Sequence, residues 1–173
     1  MTALKGILVR LKTKKESGAG TDDHIYIGIV GSGGGGEFPL DVIGFKNFQE
    51  GSKVKYWFGD VWEGIALKEA KNPFQANRWN NPSYRHIDLD KVDYVYLRKH
   101  SHKGGIDDDA WKMESVQVTL YGPKPKKRTY YLRGDLWLAN EYGLQVWLEE
   151  KTDLKKIGQR KRKGKAKAKG KRK

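Results

Sequence analysis

Apolar and polar residues alternate with period two along most of this chain, and clusters of glycine, proline and asparagine interrupt the alternation at short intervals. Period two is the side-chain repeat of a β-strand, in which successive residues point to opposite faces. Ile7, Val9 and Leu11 share one such face. A sustained 3.6-residue apolar stripe, which a packed helix requires, is lacking. The pattern predicts strands over Leu4 to Lys14, Ile25 to Val30, Phe38 to Asp41, Lys53 to Phe58, Asp88 to Arg98, Ser115 to Tyr121, Thr129 to Leu132 and Gln145 to Leu148. Ser32-Gly33-Gly34-Gly35-Gly36 and Gly122-Pro123-Lys124-Pro125 close hairpins, because neither run suits a strand interior. Short strands with this punctuation predict an all-β fold, a two-sheet antiparallel β-sandwich of about eight strands.

A chain of 173 residues with 12% aromatic side chains supports one packed core. Its mean hydropathy of −0.81 is low for such a globule. The C-terminus accounts for much of that, since residues 159–173 hold ten basic side chains and no acidic one. Of the net charge of +14, the preceding chain therefore keeps +4. Lys, Ala and Gly offer no apolar face to offset ordering entropy, so the tail is expected to be disordered on its own. The expected division is a sandwich over 1–150 and a lysine- and arginine-rich tail over 151–173. Within the sandwich, residues 59–87 form a long insertion with a brief helix expected around Glu63 to Lys71. Its Trp62, Phe74, Trp79 and Tyr84 either pack over one end of the sandwich or anchor it to a membrane or partner.

Several chemistries are excluded. Without cysteine there are no disulfides, thiolate nucleophiles or cysteine metal sites. Gly33 to Gly36 are not followed by Gly-Lys-Ser/Thr, so a phosphate-binding loop is not formed, and no Gly-x-Ser-x-Gly elbow occurs. His100 and His102 would share a strand face, but two ligands do not make a metal site, and His24 and His86 stand alone in the sequence. No acid, base and nucleophile set emerges, and the expectation is a protein that is not an enzyme. No apolar run is long enough to span a bilayer, and Lys5 and Arg10 interrupt the N-terminal apolar stretch. The default expectation is cytoplasmic, with a peripheral membrane location or another export route left open.

Gly18-Ala19-Gly20-Thr21-Asp22-Asp23 runs directly into the strand from His24 to Val30. Asp and Gly are ordinary turn residues, but carboxylates where a loop meets a strand also present oxygen to a hard cation. Phe38-Pro39-Leu40-Asp41 with Phe48-Gln49-Glu50-Gly51-Ser52, and then Asp108-Asp109-Ala110-Trp111-Lys112-Met113-Glu114-Ser115-Val116-Gln117-Val118, follow in order. Val95-Tyr96-Leu97-Arg98-Lys99 and Leu136-Trp137-Leu138 add to the series. Together these segments resemble the PLAT family, the β-sandwich module of polycystins, lipoxygenases and clostridial alpha-toxin, over roughly residues 4 to 150. The nearest pattern is that of the toxin's C-terminal calcium-dependent membrane-binding domain.

The resemblance implies a calcium site built from three loops. Its ligands would be the carbonyls of Gly20 and Thr21, the side chains of Asp22 and Asp41, Asn47 at a further position, and Asp109 with the carbonyl of Ala110. Gly18 stands where the toxin-like pattern has an aspartate, and Asn47 replaces a carboxylate. Fewer charges imply weak binding, at roughly 10⁻⁴ to 10⁻³ M, or loops that keep the family's shape without metal. Asp107, Asp108 and Asp109 repel one another unless solvated or paired, and Asp109 is read either as a ligand or as a partner of Lys103 or Arg98.

The tail's Arg160, Lys161, Arg162, Lys163, Lys165, Lys167, Lys169, Lys171, Arg172 and Lys173 suit a polyanion, either anionic lipid or nucleic acid, or serve solubility alone. The function expected is a non-catalytic module that docks on a membrane surface or protein partner through its loop end, assisted by calcium. The alternative is a nucleic-acid-associated protein whose tail neutralises phosphates while the sandwich is a scaffold.

Overall fold

A computed structural model describes residues 1–42, 44–59, 70–71, 80–100 and 109–151. Nine strands form among them: β1 (Gly6–Thr13), β2 (His24–Gly31), β3 (Gly36–Pro39), β4 (Lys53–Gly59), β5 (Ala70–Lys71), β6 (Val92–His100), β7 (Trp111–Tyr121), β8 (Lys127–Leu138) and β9 (Gln145–Glu150). Their order is β3-β2-β6-β9-β8-β7-β1-β4-β5. The series curls on itself into the two layers of a sandwich. The link is β9, which pairs with β6 through Val95↔Leu148 to Arg98↔Gln145 and with β8 through Tyr130↔Glu150 and Tyr131↔Glu149.

Alternation decides what lies between the layers. Ile7, Val9 and Leu11 of β1 and Val116, Val118 and Leu120 of β7 are buried opposite Ile25, Ile27 and Ile29 of β2 and Val95 and Leu97 of β6. Phe38 of β3 meets Phe58 of β4 edge-on at 5.6 Å, which joins the layers at their rim.

All eight predicted strands are present, with altered limits. Residues Leu89–Lys91 form a 3-10 turn instead of opening a strand, because the Asp88 carboxylate accepts from the amides of Asp90 (3.2 Å) and Thr2 (3.0 Å). Strand β7 begins at Trp111 and β8 continues to Leu138, well beyond the predicted limits. A register shift between Met113 and Ser115 is the cause. Trp111 and Met113 are buried in one phase and Val116 and Val118 in the other, so the period-two pattern breaks inside a continuous strand. At the end of the expected helix, Ala70 and Lys71 instead pair parallel with Lys55 and Tyr56 of β4; the rest of that segment lies outside the described residues. Both turn clusters close hairpins, through the amide of Gly34 on the carbonyl of Gly31 (3.2 Å) and that of Lys126 on Pro123 (2.9 Å).

Two arginine–carboxylate pairs fasten strands on the outer surface. Arg98 donates twice to Glu37 at 2.7 Å, joining β6 to β3 across β2, and Arg128 grips Glu150 at 2.8 and 2.7 Å. The Arg98 guanidinium holds the Glu37 carboxyl below the usual carboxylate range, helped by Tyr96 and opposed by burial, and Arg128 does the same to Glu150. A folded-state pKa below the unfolded one means that the unfolded chain binds more protons on acidification. The stabilisation is therefore complete above about pH 4.3, the unfolded value, and is lost as pH falls through the folded one. Thermal melts from neutral pH down to about pH 3 should show a decline starting near pH 4.5, and Glu37→Gln should flatten it. An unchanged profile in that variant would remove Glu37 from the account.

Candidate functional site

The β1–β2 connection is tied at one end of the sandwich. Lys14 donates its amide to Lys112 (2.9 Å), Lys112 donates its own to Ala19 (3.0 Å), and Gly18 turns the chain with φ of +76°. That φ lies in the left-handed region where glycine is tolerated best. No neighbour lies within 4 Å of where a Gly18 Cβ would project, so backbone hand and not crowding suits glycine here.

From this turn the chain meets two other loops. The amide of Gly18 donates to Glu50 Oε1 at 2.6 Å and that of Thr21 to the carbonyl of Phe48 at 3.2 Å. Thr21 Oγ1 donates to the carbonyl of Asp109 at 3.2 Å, and the Asp22 amide to Asp109 Oδ2 at 2.8 Å. Gln49 Nε2 reaches Asp22 Oδ1 at 3.4 Å. The result is an open cleft of about 500 Å³ bordered by Asp22, Glu50 and Asp109, with no lysine or arginine among its described lining residues. In a chain of net charge +14 this is a concentrated patch of carboxylate oxygen.

The sequence-predicted ligands divide here. Gly20, Thr21, Asp22 and Asp109 border the cleft, and Ala110 follows Asp109 into β7. Asp41 does not line it: its Oδ2 lies 2.8 Å from His24 Nδ1, so His24 has a carboxylate beside it that sequence spacing did not reveal. Asn47 is also turned elsewhere, donating to the carbonyl of Phe45 (2.9 Å) and accepting from Tyr56 OH (3.3 Å). Burial pushes the Tyr56 phenol far above its usual range, so it remains a donor. Among the described residues no group of three or more His, Asp or Glu side chains is arranged to hold a metal. The oxygen donors fit a hard cation in kind, while Asp41 and Asn47 are missing from the ligand count.

Asp109 does not pair with Arg98, which is committed to Glu37; Lys103, Asp107 and Asp108 lie outside the described residues. Tyr84 is 61% exposed, but it sits in the 3-10 turn Pro82–Tyr84, where Ser83 Oγ donates to the carbonyl of Lys5. That is the opposite end of β1 from the cleft, so Tyr84 does not belong to the same contact surface. Trp62, Phe74, Trp79, His102 and the basic residues from Arg160 to Lys173 lie outside the described residues, and His100 is exposed at the end of β6.

Two positions at or behind the cleft are not singled out by the motifs above. Glu50 belongs to the cleft through a contact spanning 32 residues, which no local motif signals. Lys99 is fully buried with Nζ 2.6 Å from Asp23 Oδ2. Its signal was available, because Lys99 continues the inward phase of Val95 and Leu97.

Residues 7–149 match the model of the PLAT/LH2 domain. No curated protein matches the sequence. Among solved structures, the alpha-toxin from Clostridium absonum superposes with a TM-score of 0.56 at 21% identity, covering 86% of this chain and 32% of the toxin. Clostridium perfringens alpha-toxin from an avian strain gives 0.55 at 18%, covering 84% and 31%. Coral 8R-lipoxygenase gives 0.53 at 20%, covering 84% and 17%. The chain thus spans about a third or less of each of these three structures. Its match to the family model and its curled two-layer sheet agree, and the chain belongs to the PLAT/LH2 domain family of non-catalytic modules that bind lipid surfaces or protein partners.

Proposed function

We propose that this protein docks on an anionic membrane surface through the loop end of its sandwich, with calcium bridging the acidic cleft to lipid phosphates. The observation that carries the reading is the convergence of Asp22, Glu50 and Asp109 around one cleft that no described cation lines. Carboxylate and carbonyl oxygens bordering one cleft are the donor type that a hard cation takes. The Asp22 and Asp109 carboxylates, with the carbonyls of Gly20 and Thr21, are the oxygens that would hold it. The structure of coral 8R-lipoxygenase is described by calcium activation via a C2-like domain, which favours the same use of the fold here. At the same end, Phe45 is exposed beside Lys46, and Lys71 Nζ lies 4.6 Å from the centre of its ring. An apolar tip flanked by cations matches an anionic headgroup layer, and the tail from Arg160 to Lys173 adds a second electrostatic attachment. The protein would then act as a peripheral membrane protein.

Co-sedimentation with phosphatidylserine vesicles tests this. Millimolar calcium should increase the bound fraction, and Asp22→Ala with Asp109→Ala should abolish the increment while leaving a salt-sensitive remainder from the tail. Calcium titration by calorimetry should give a dissociation constant near 10⁻⁴ to 10⁻³ M. Absence of heat together with undiminished vesicle binding in the double variant would sink the calcium bridge.

A further inference from the structure

The outer face of the sheet formed by β4, β1, β7 and β8 carries a second charged feature, opposite in sign to the cleft. Strand register lays its outward residues out in rungs. Lys55, Arg10, Gln117 and Tyr131 are successive neighbours across the four strands, and Lys53, Lys12, Ser115 and Arg133 form the next rung. Together they border a groove of about 620 Å³, with Lys151 at its edge. Six of the lining side chains are cationic and none is a carboxylate. Lys12 also pairs with Glu114, outside the lining. Tyr131 is 38% exposed in the groove, between Gln117 of β7 and Glu149 of β9.

From this arrangement the geometry points to a binding site for single-stranded nucleic acid on the sheet face itself. Cations repeat at about 6.8 Å along a strand and about 4.8 Å across it, which gives a polyanionic chain a track to follow. A bilayer presents its charges in a plane, reaching the rim of a groove but not its floor, so a flexible chain is the better complement. An exposed aromatic ring beside an amide, in a groove also lined by phosphate-seeking cations, is a combination that can stack a base while the lining neutralises the backbone. The chain beyond Lys151 leads to residues 159–173, which have the same sign as the groove and are therefore not its complement.

Fluorescence anisotropy of the full chain with labelled oligothymidylate and oligouridylate of about 20 nucleotides tests the site. The tail is present in every variant, so differences report the groove. Arg10→Gln with Arg133→Gln should weaken binding about tenfold near 0.15 M salt and reduce the slope of log K against log salt by about 1.4. Lys53→Gln with Lys151→Gln should do the same, and serves if the first pair does not fold by circular dichroism. Tyr131→Leu should weaken oligonucleotide binding about fivefold while leaving heparin binding unchanged. If both neutralised pairs bind as wild type does, the tail supplies the affinity and the groove assignment is overturned. It is equally overturned if the pairs lose affinity for phosphatidylserine vesicles but not for oligonucleotide, or if Tyr131→Leu has no effect and heparin binds as tightly as nucleic acid.

Discussion

Replacing Asp23 with alanine should destabilise this protein by about 3–5 kcal/mol, because it removes from the core the carboxylate that lies 2.6 Å from the Lys99 ammonium. Lys99 is 0% exposed at its side chain and Asp23 5%, with 2.6 Å between Nζ and Oδ2. Breaking such a pair costs far more than the pair contributes when intact, since the remaining charge stays desolvated. For a domain of this size the melting temperature should fall by at least about 6 °C. Asp23→Leu combined with Lys99→Met removes both charges and should recover most of the loss. Single variants melting within about 2 °C of wild type would show that water reaches the pair. The pair also bears on the cleft. Asp23 directly follows Asp22, and its amide donates to Thr21 Oγ1 at 3.1 Å, so its inward anchor holds Asp22 at the rim.

Trp111→Ala should be comparably severe, at about 3–5 kcal/mol, through loss of buried area and the cavity left behind. Trp111 is 0% exposed, its ring lies 5.7 Å from that of Phe48, and its indole Nε1 donates to Thr13 Oγ1 at 3.1 Å. Asp109 and Ala110 lead into Trp111, while the carbonyl of Phe48 receives the Thr21 amide. One indole therefore sits where the loops of the cleft rejoin the core. Denaturant unfolding should show the loss of stability in the alanine variant. Trp111→Phe keeps most of the packing but gives up the Thr13 hydrogen bond, and should lose about 1 kcal/mol beyond the smaller packing change. An alanine variant as stable as wild type would mean that the indole does not pack as described.

The strands were legible because their signal is local. Ile7, Val9 and Leu11, or Ile25, Ile27 and Ile29, declare an inward face without reference to any other strand. Where a bulge at Glu114 shifts the phase, the alternation starts β7 four residues late, at Ser115 instead of Trp111. Alternation places Asp88 in a strand because it does not register a side chain that caps a turn. The site was legible only in part. Asp22 and Asp109 meet as the ordered motifs implied, but Asp41 faces His24 and Asn47 faces Phe45 and Tyr56. Residue type marks a carboxylate as a ligand candidate without saying which neighbour reaches it first.

The fold class, the family and the inward face of regular strands such as β1 follow from the amino-acid order alone, because period-two patterning and ordered motifs are properties of short segments. Tertiary structure decided that Glu50 completes the acidic cleft, that Lys99 enters the core against Asp23, and that Arg10, Lys53, Lys55 and Arg133 line one groove. Those outcomes depend on strand order and register. They bring together residues such as Asp22 and Asp109, 87 positions apart, whose proximity no local spacing encodes.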